Sequence, residues 1–318
     1  MKIVFLDRLT LANNIELSRP QFSHQWHEYP RSTSQQVLER ANDADIIIVN
    51  KVQLNRQLLE QLPQLKMIAV AATGTNNVDL HAAKELNIVV SNVRDYASQS
   101  IAEHSLALMF NLRRNLLAYH QAIQHGRWQQ SQQFCFFDYP IDNLAGQTLL
   151  VIGAGNLGQA TAELASNIGM KVIFAEHKNK QPRPGRVDFN QALSCADVIS
   201  IHCPLTPQTQ DLIDEPEFLL MKKNALLINT ARGGIVNEQA LLQALQNKQI
   251  AGAASDVSES EPPKADSPLL QAMHLNSFIM SPHIGWASQQ NMQMLADQVI
   301  GNIDAFAAGH PRHQVFPD

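Results

Sequence analysis

Apolar positions along this chain fall into short runs separated by stretches of helical period. The runs at 2–7, 44–50, 66–73 and 88–92 predict strands, and the segments between them predict helices. Thr33 is placed as an N-cap ahead of a helix over 35–41. Asn55 plays the same part ahead of 56–62, which Pro63 closes. From Ser98, Ile101, Ser105, Leu108, Leu112 and Leu116 recur at helical spacing toward Gln124, until Gly126-Arg127-Trp128 interrupts them. This predicts one long helix crossing between domains. A second strand–helix series begins at Thr148 and continues through 171–176, 197–203, 225–230, 251–256 and 278–281. A last helical segment over 289–308 ends at Gly309 and is expected to pack back on the N-terminal domain. Strand alternating with helix predicts an α/β chain of two doubly wound parallel-sheet domains separated by a cleft. The expected division is 1–97 with 286–318 for one domain and 98–285 for the other.

The segment Val151-Ile152-Gly153-Ala154-Gly155-Asn156-Leu157-Gly158 closes an apolar run and opens a helix. Gly153 permits a tight turn, Gly155 lets backbone approach a pyrophosphate, and Gly158 lets helix and strand pack closely. Three such glycines alone are weak evidence. The next strand strengthens them by ending in Glu176, about 20 positions downstream, where a carboxylate accepts both adenosine ribose hydroxyls. Glu176 therefore argues for NAD, since a 2′-phosphate would meet like charge there. Lys178 close by keeps NADP open as the alternative.

The 318 residues are 45% hydrophobic, enough for two cores at about 150 residues per domain. Net charge is −5 with no long run of one sign, which argues against nucleic acid or an anionic membrane as partner and for a small molecule. Cys135, Cys195 and Cys203 are scattered, without a CxxC pair, and read as packed thiols of a reducing compartment. The opening Met1-Lys2-Ile3-Val4-Phe5-Leu6-Asp7 turns acidic too soon for a signal peptide, and no apolar run reaches a membrane span, so a cytoplasmic protein is expected. His24 with His27, and His120 with His125, lack companion ligands, and no metal site is expected.

In doubly wound sheets ligands sit at the carboxyl ends of strands, which directs attention to His202, Thr230, Ala231, Arg232, Asp256 and His283. Reduction of a carbonyl by hydride needs one proton for the forming alkoxide. A histidine, ordinarily titrating near ~6.5, supplies it at neutral pH, and His283 is the candidate. Glu261, before Pro262-Pro263, is assigned to the other ring nitrogen, orienting the imidazole. Arg232 offers a planar fork for a substrate carboxylate. Set against these, His283 alone would read as a satisfied core histidine, Glu261 as a solvated loop acid, Asp256 as a turn cap and Trp286 as core. The stripe Ile101, Leu108, Leu112, Leu116 reads as a buried interface whose length suggests a homodimer surface.

Four segments together resemble the D-isomer-specific 2-hydroxy acid dehydrogenase family over essentially the whole chain: 153–158, His202-Cys203-Pro204-Leu205-Thr206, the 229–234 segment with Arg232, and Glu261-Pro262-Pro263 with Pro282-His283-Ile284-Gly285. Order and spacing match as well, with 29 residues from Arg232 to Glu261 and 22 from Glu261 to His283. The resemblance implies a Rossmann cofactor domain, a flavodoxin-like substrate domain and a catalytic triad of Arg232, Glu261 and His283. It also implies a carboxylate loop of backbone N–H groups, matched by 72–79 with Gly74 and Thr75 at its centre. Cofactor contacts follow by position: Gly153, Gly155, Asn156, Leu157, Gly158 and Glu176, then His202, Cys203, Pro204, Thr209, Thr230, Ala231, Asp256 and Gly285. Asp256 is expected to accept from the nicotinamide carboxamide, and Asn50 and Lys51 to touch the far end of the substrate. Trp286-Ala287-Ser288 resembles the glycerate dehydrogenase (hydroxypyruvate reductase) branch, implying NADH-dependent reduction of hydroxypyruvate to D-glycerate, with glyoxylate, pyruvate or 3-phosphoglycerate chemistry, or an NAD-sensing binding protein, as alternatives. Glu261 argues against formate dehydrogenases, which carry glutamine there. Thr75-Asn76-Asn77 departs from the commoner small residue followed by Asp-Asn. Closure about hinges near 95–98 and 284–288 is expected to exclude water.

Overall fold

A computed structural model describes residues 1–317. The chain divides into two compact units, one of Met1–Tyr96 with the segment from Ala287 onward, the other of Ala97–Trp286. Among the described residues no helix is long and apolar enough to cross a membrane.

The first unit is built on a parallel five-stranded sheet in the order β2-β1-β3-β4-β5, with β1 Lys2–Phe5, β2 Gln25–Glu28, β3 Ile46–Val49, β4 Met67–Val70 and β5 Val89–Ser91. This is the flavodoxin-like order. Every residue of β3 and β4 is buried, as expected where helices cover both faces and no polar alternation survives. Helix α1, Ser34–Ala41, begins in a capping box, with Thr33 accepting from the Gln36 N–H and Gln36 returning the bond. Asn55 caps α2, Arg56–Leu59, and Asp79 caps α3, Leu80–Glu85. The far C-terminal α12, Gln289–Ala307, returns to pack on β4. Its Asn302 Nδ2 donates to the Asn92 carbonyl at 2.9 Å.

The second unit has a six-stranded parallel Rossmann sheet ordered β11-β10-β9-β8-β6-β7. Its strands are β6 Thr148–Ile152, β7 Lys171–Phe174, β8 Val198–Ile201, β9 Leu226–Asn229, β10 Gly252–Ser255 and β11 Phe278–Met280. Order reverses at β6, so the strands on its two sides open a crevice at their carboxyl ends.

Two expectations change here. The long helix is broken: α4 spans Ser98–Arg114, Asn115 takes a left-handed φ of 50°, and α5 Leu116–Gln124 and α6 Arg127–Ser131 follow. The stripe expected at a dimer surface is instead core. Leu108 and Leu112 pack with Leu149, Val151 and Leu226 of their own unit, and Ile101 is buried too. Burying each leucine contributes about 1.5–3 kcal/mol. Only Leu116, past the break, is exposed.

Candidate active site

Parallel strands deliver their following residues to one edge of the sheet. Gly153 follows β6 directly and His202 follows β8, while Arg232 lies three residues past β9, Glu261 six past β10 and His283 three past β11. The topology thus places these five residues after strands along the same edge of the sheet.

The turn from β6 into α7, Asn156–Asn167, is shaped for an anionic ligand. Gly153 holds φ +100°, and a Cβ there would come within 2.7 Å of the backbone of His202 and Cys203, so the loop after β8 lies against the turn. A Cβ at Gly158 would strike the Gly153 carbonyl. Gly155 has open space beside its Cα and is the N-cap of α7 with no side chain to cover the helix start, where backbone N–H groups favour an anion. These residues fit a dinucleotide pyrophosphate.

At the neighbouring strand end the arrangement departs from expectation. Glu176 is buried, and its carboxylate already accepts four hydrogen bonds. Oε2 takes Arg183 Nε at 2.7 Å and the Arg183 N–H at 3.1 Å; Oε1 takes Arg183 Nη2 at 2.7 Å and the His177 N–H at 2.8 Å. The Arg183 guanidinium, then the His177 N–H, hold this carboxyl far below the usual carboxylate range. Lys178 is committed elsewhere, with Nζ 2.7 Å from Glu217 Oε1.

His283 Nδ1 lies 2.7 Å from Glu261 Oε2. His283 adopts φ 55°, unusual for a residue with a side chain, and Trp286 Nε1 donates to its carbonyl at 2.9 Å. The Glu261 turn is itself braced: the Ser258 N–H donates to Glu261 Oε1 at 3.3 Å, and Glu238 at the start of α10, Glu238–Gln246, accepts from the Glu259 N–H at 2.7 Å and from the Ser258 hydroxyl at 3.2 Å. Arg232 is exposed, on a turn closed by Asn229, which accepts from the Ala231 N–H and donates to the Arg232 carbonyl. Thr230 is buried against Ser105, with hydroxyl oxygens 3.1 Å apart.

Asp256 does structural work that its expected cofactor role did not include. Oδ1 accepts from the Ser281 hydroxyl at 2.5 Å and the Ile284 N–H at 2.9 Å, and Oδ2 from the Gly285 N–H at 2.7 Å. His104 of α4 reaches the same group, its Nε2 2.9 Å from Ser281 Oγ and 3.4 Å from Asp256 Oδ1. Burial alone would raise the Asp256 carboxyl, but His104, Ser281 and the two N–H groups outweigh it and the pKa falls. Asp256 therefore folds the loop on either side of His283.

Around the loop after β8, His202 is buried with Nε2 2.8 Å from Ser200 Oγ, and burial pushes its pKa down to about 4. Its backbone lies against the glycine turn. Burial raises the Cys203 thiol to about 11, which makes it unreactive. Thr209 Oγ1 donates to the Pro204 carbonyl and accepts from the Thr206 N–H, both at 2.7 Å, closing the loop on itself. Among the described residues no group of three or more His, Cys, Asp or Glu side chains is placed to hold a metal.

In the first unit, the N–H groups of Gly74 and Thr75 donate to no acceptor among the described residues. The loop around them is fixed: Asn92 Nδ2 donates to the Thr73 carbonyl at 2.7 Å, and Asn77 Nδ2 to the Val52 carbonyl at 3.1 Å. Asn50 is buried and Lys51 exposed, and both are held through their backbone by Asp7, whose carboxylate accepts from the N–H groups of Asn50, Lys51 and Val52. Burial raises the Asp7 carboxyl despite these three donors. Asp7, His104, Arg183 and Glu238 escaped the sequence reading. Of these only His104 left a trace, as a polar residue interrupting an apolar stripe.

Residues 106–285 match the model of the D-isomer specific 2-hydroxyacid dehydrogenase family, NAD binding domain. The chain belongs to this family. It is 46% identical over 315 residues to a glycerate dehydrogenase of Methylorubrum extorquens, spanning 99% of this chain and 98% of that one. It is 35% identical over 281 residues to a hydroxypyruvate reductase of Blautia hydrogenotrophica, spanning 87% and 86%. Among solved structures it resembles D-lactate dehydrogenase with NAD+ from Lactobacillus jensenii, with TM-score 0.81, 25% identity and full coverage of both chains. As a D-2-hydroxyacid dehydrogenase the chain is an NAD-dependent enzyme, and its Ala97–Trp286 unit carries the NAD-binding region.

Proposed function

We propose that this dehydrogenase reduces hydroxypyruvate to D-glycerate, with His283 as general acid, Glu261 as its orienting partner and Arg232 as the anchor of the substrate carboxylate. The observation that carries the reading is the 2.7 Å contact between His283 Nδ1 and Glu261 Oε2. A carboxylate on Nδ1 fixes the ring and its orientation, so Nε2 is left to serve the substrate. When bound, reduced nicotinamide supplies a hydride to C2 of the oxo acid. His283 Nε2 gives its proton to the carbonyl oxygen as charge develops there, and Arg232 holds the adjacent carboxylate bidentately while polarising the carbonyl. Run in reverse, His283 takes the hydroxyl proton. Gly74 and Thr75 offer consecutive uncommitted N–H donors suited to a carboxylate, and Asn50, Lys51 and Trp286 are assigned to the remainder of the substrate. Asp256 keeps its loop folded and adds an acceptor for the carboxamide.

Hydroxypyruvate is preferred over glyoxylate or pyruvate because of the likeness to the glycerate dehydrogenase and hydroxypyruvate reductase relatives. The test is NADH oxidation with hydroxypyruvate, glyoxylate, pyruvate and 3-phosphohydroxypyruvate in parallel. The highest kcat/KM is expected with hydroxypyruvate; a higher value for another acid reassigns the substrate, and no turnover with any of them removes the reading.

The enzyme is further proposed to act as a homodimer in the reducing cytoplasm. Its three cysteines are free. A second copy covers the α5–α6 arm, where Leu116, Leu117, Ile123, Trp128, Phe134 and Phe137 are exposed, Phe134 at 89%. Sedimentation equilibrium of wild type and Phe134→Asp tests this: a dimer weakened by the charge is expected, and a wild-type monomer rejects it.

A further inference from the structure

We propose that Arg183 is a cofactor-specificity residue through which this chain takes NADP(H) as well as NAD(H), its guanidinium receiving the 2′-phosphate. A carboxylate offers about four lone-pair positions, and donors from His177 and Arg183 already fill those of Glu176. No acceptor is left for the two hydroxyls of an NAD ribose unless the arginine side chain turns away. In a site that selects strictly for NAD, the acid at this strand end both accepts from the 2′-hydroxyl and repels a 2′-phosphate. Here the first function is occupied and the second is cancelled by an ion pair 2.7 Å long.

The surroundings favour an anion further. Glu176 stands two residues past β7, beside the glycine turn that follows β6, because Val151 pairs with Phe174. Residues 177–187 contain His177, Lys178, Lys180, Arg183 and Arg186 and no acidic residue. Lys178 is bound to Glu217, but Lys180 is exposed and the Arg183 side chain is 61% exposed, so its unengaged N–H groups face solvent while Nε and Nη2 hold Glu176. A planar fork with donors on both edges suits simultaneous contact with a buried carboxylate and a phosphate.

Titration of the full chain with NADH and NADPH, followed by calorimetry with no oxo acid present, tests the inference independently of the substrate assignment. Wild type is expected to bind the two with Kd values within about tenfold of each other. Arg183→Gln is expected to weaken NADPH by about ten- to hundredfold, while NADH holds or tightens as Glu176 is released to the ribose. Arg183→Lys, which keeps the charge and loses the fork, should retain part of the NADPH affinity. Glu176→Gln, which removes the repelling charge while keeping the side-chain volume, should leave NADPH binding intact or tighter, and thermal melts confirm that each variant is folded. A wild-type preference for NADH above about a hundredfold, or equal weakening of both cofactors in Arg183→Gln, overturns the inference.

Discussion

His104 Nε2 lies 2.9 Å from the Ser281 hydroxyl, which itself sits 2.5 Å from Asp256 Oδ1, so helix α4 is tied to the loop that carries His283. The Ser100 hydroxyl adds a second tie, donating to the Gly285 carbonyl at 2.8 Å. His104 is a positioning residue: it shapes the unusual backbone at His283 through Ser281 and Asp256. His104→Ala is expected to lower kcat by about tenfold with KM for the oxo acid and Kd for NADH nearly unchanged, as expected when an interaction serving the transition state is weakened. His104→Asn, which keeps a polar atom toward Ser281, should recover part of the loss. A lowered melting temperature with kcat per folded molecule unchanged would mark the contact as structural only.

Arg232 is exposed, and its proposed role asks for the shape of the guanidinium as well as its charge. Arg232→Lys is expected to raise KM for hydroxypyruvate and to lower kcat/KM by about a hundredfold or more, because the ammonium cannot grip the carboxylate bidentately while polarising the carbonyl. NADH affinity should stay within about twofold, since no binding role for the cofactor is asked of this side chain. Steady-state kinetics with a cofactor titration check both parts, and a lysine variant of wild-type efficiency would release Arg232 from the site.

Acid should destabilise the second unit through His202. Burial lowers this imidazole to about 4, whereas the unfolded chain takes up the proton near ~6.5. Its contribution is therefore complete above about pH 6.5 and is lost progressively as pH falls toward about 4, by roughly 3 kcal/mol in all. Denaturant midpoints measured across that window should fall for wild type and much less for His202→Asn. Parallel curves for the two proteins would show that another group titrates.

Much of this architecture is legible in the sequence because it rests on repeated physical demands. Parallel strands buried on both faces must be apolar runs, as β3 and β4 are, and helix starts need capping side chains such as Thr33, Asn55 and Asp79. Strand β2 escaped because Gln25-Trp26-His27-Glu28 sits at a sheet edge, largely exposed, where burial does not select apolar residues. The break at Asn115 escaped because the apolar spacing continues across it, while one left-handed residue redirects the chain. Leu108 and Leu112 show the limit of periodicity: it identifies a buried face and does not say whether the same unit or a second copy buries it. The engagement of Glu176 is not legible in the sequence, because its partner Arg183 lies seven residues on, in a proline-rich loop without period. Asp7 and Glu238 escaped for a related reason, since each acts through backbone N–H groups brought near only by the fold.

Glu238 joins two parts of the site, because its carboxylate fixes the turn leading to Glu261. Glu238→Gln keeps the shape but weakens acceptance from the Glu259 N–H, and is expected to lower kcat a few-fold, by about the worth of one charged hydrogen bond at most. The loss should fall on kcat with KM nearly unchanged, since Glu261 then meets His283 less firmly, and Glu238→Asp should not restore it. A normal kcat would limit Glu238 to bracing the turn at Ser258 and Glu259.

Proton transfer at His283 is the central proposed step, and single-turnover kinetics with NADH and hydroxypyruvate address it most directly. His283→Gln is expected to slow the hydride step by about a hundredfold or more, in the range by which a positioned acid contributes, while Kd for NADH stays within about twofold. A variant that transfers hydride at the wild-type rate, or that loses activity only because NADH no longer binds, would contradict it.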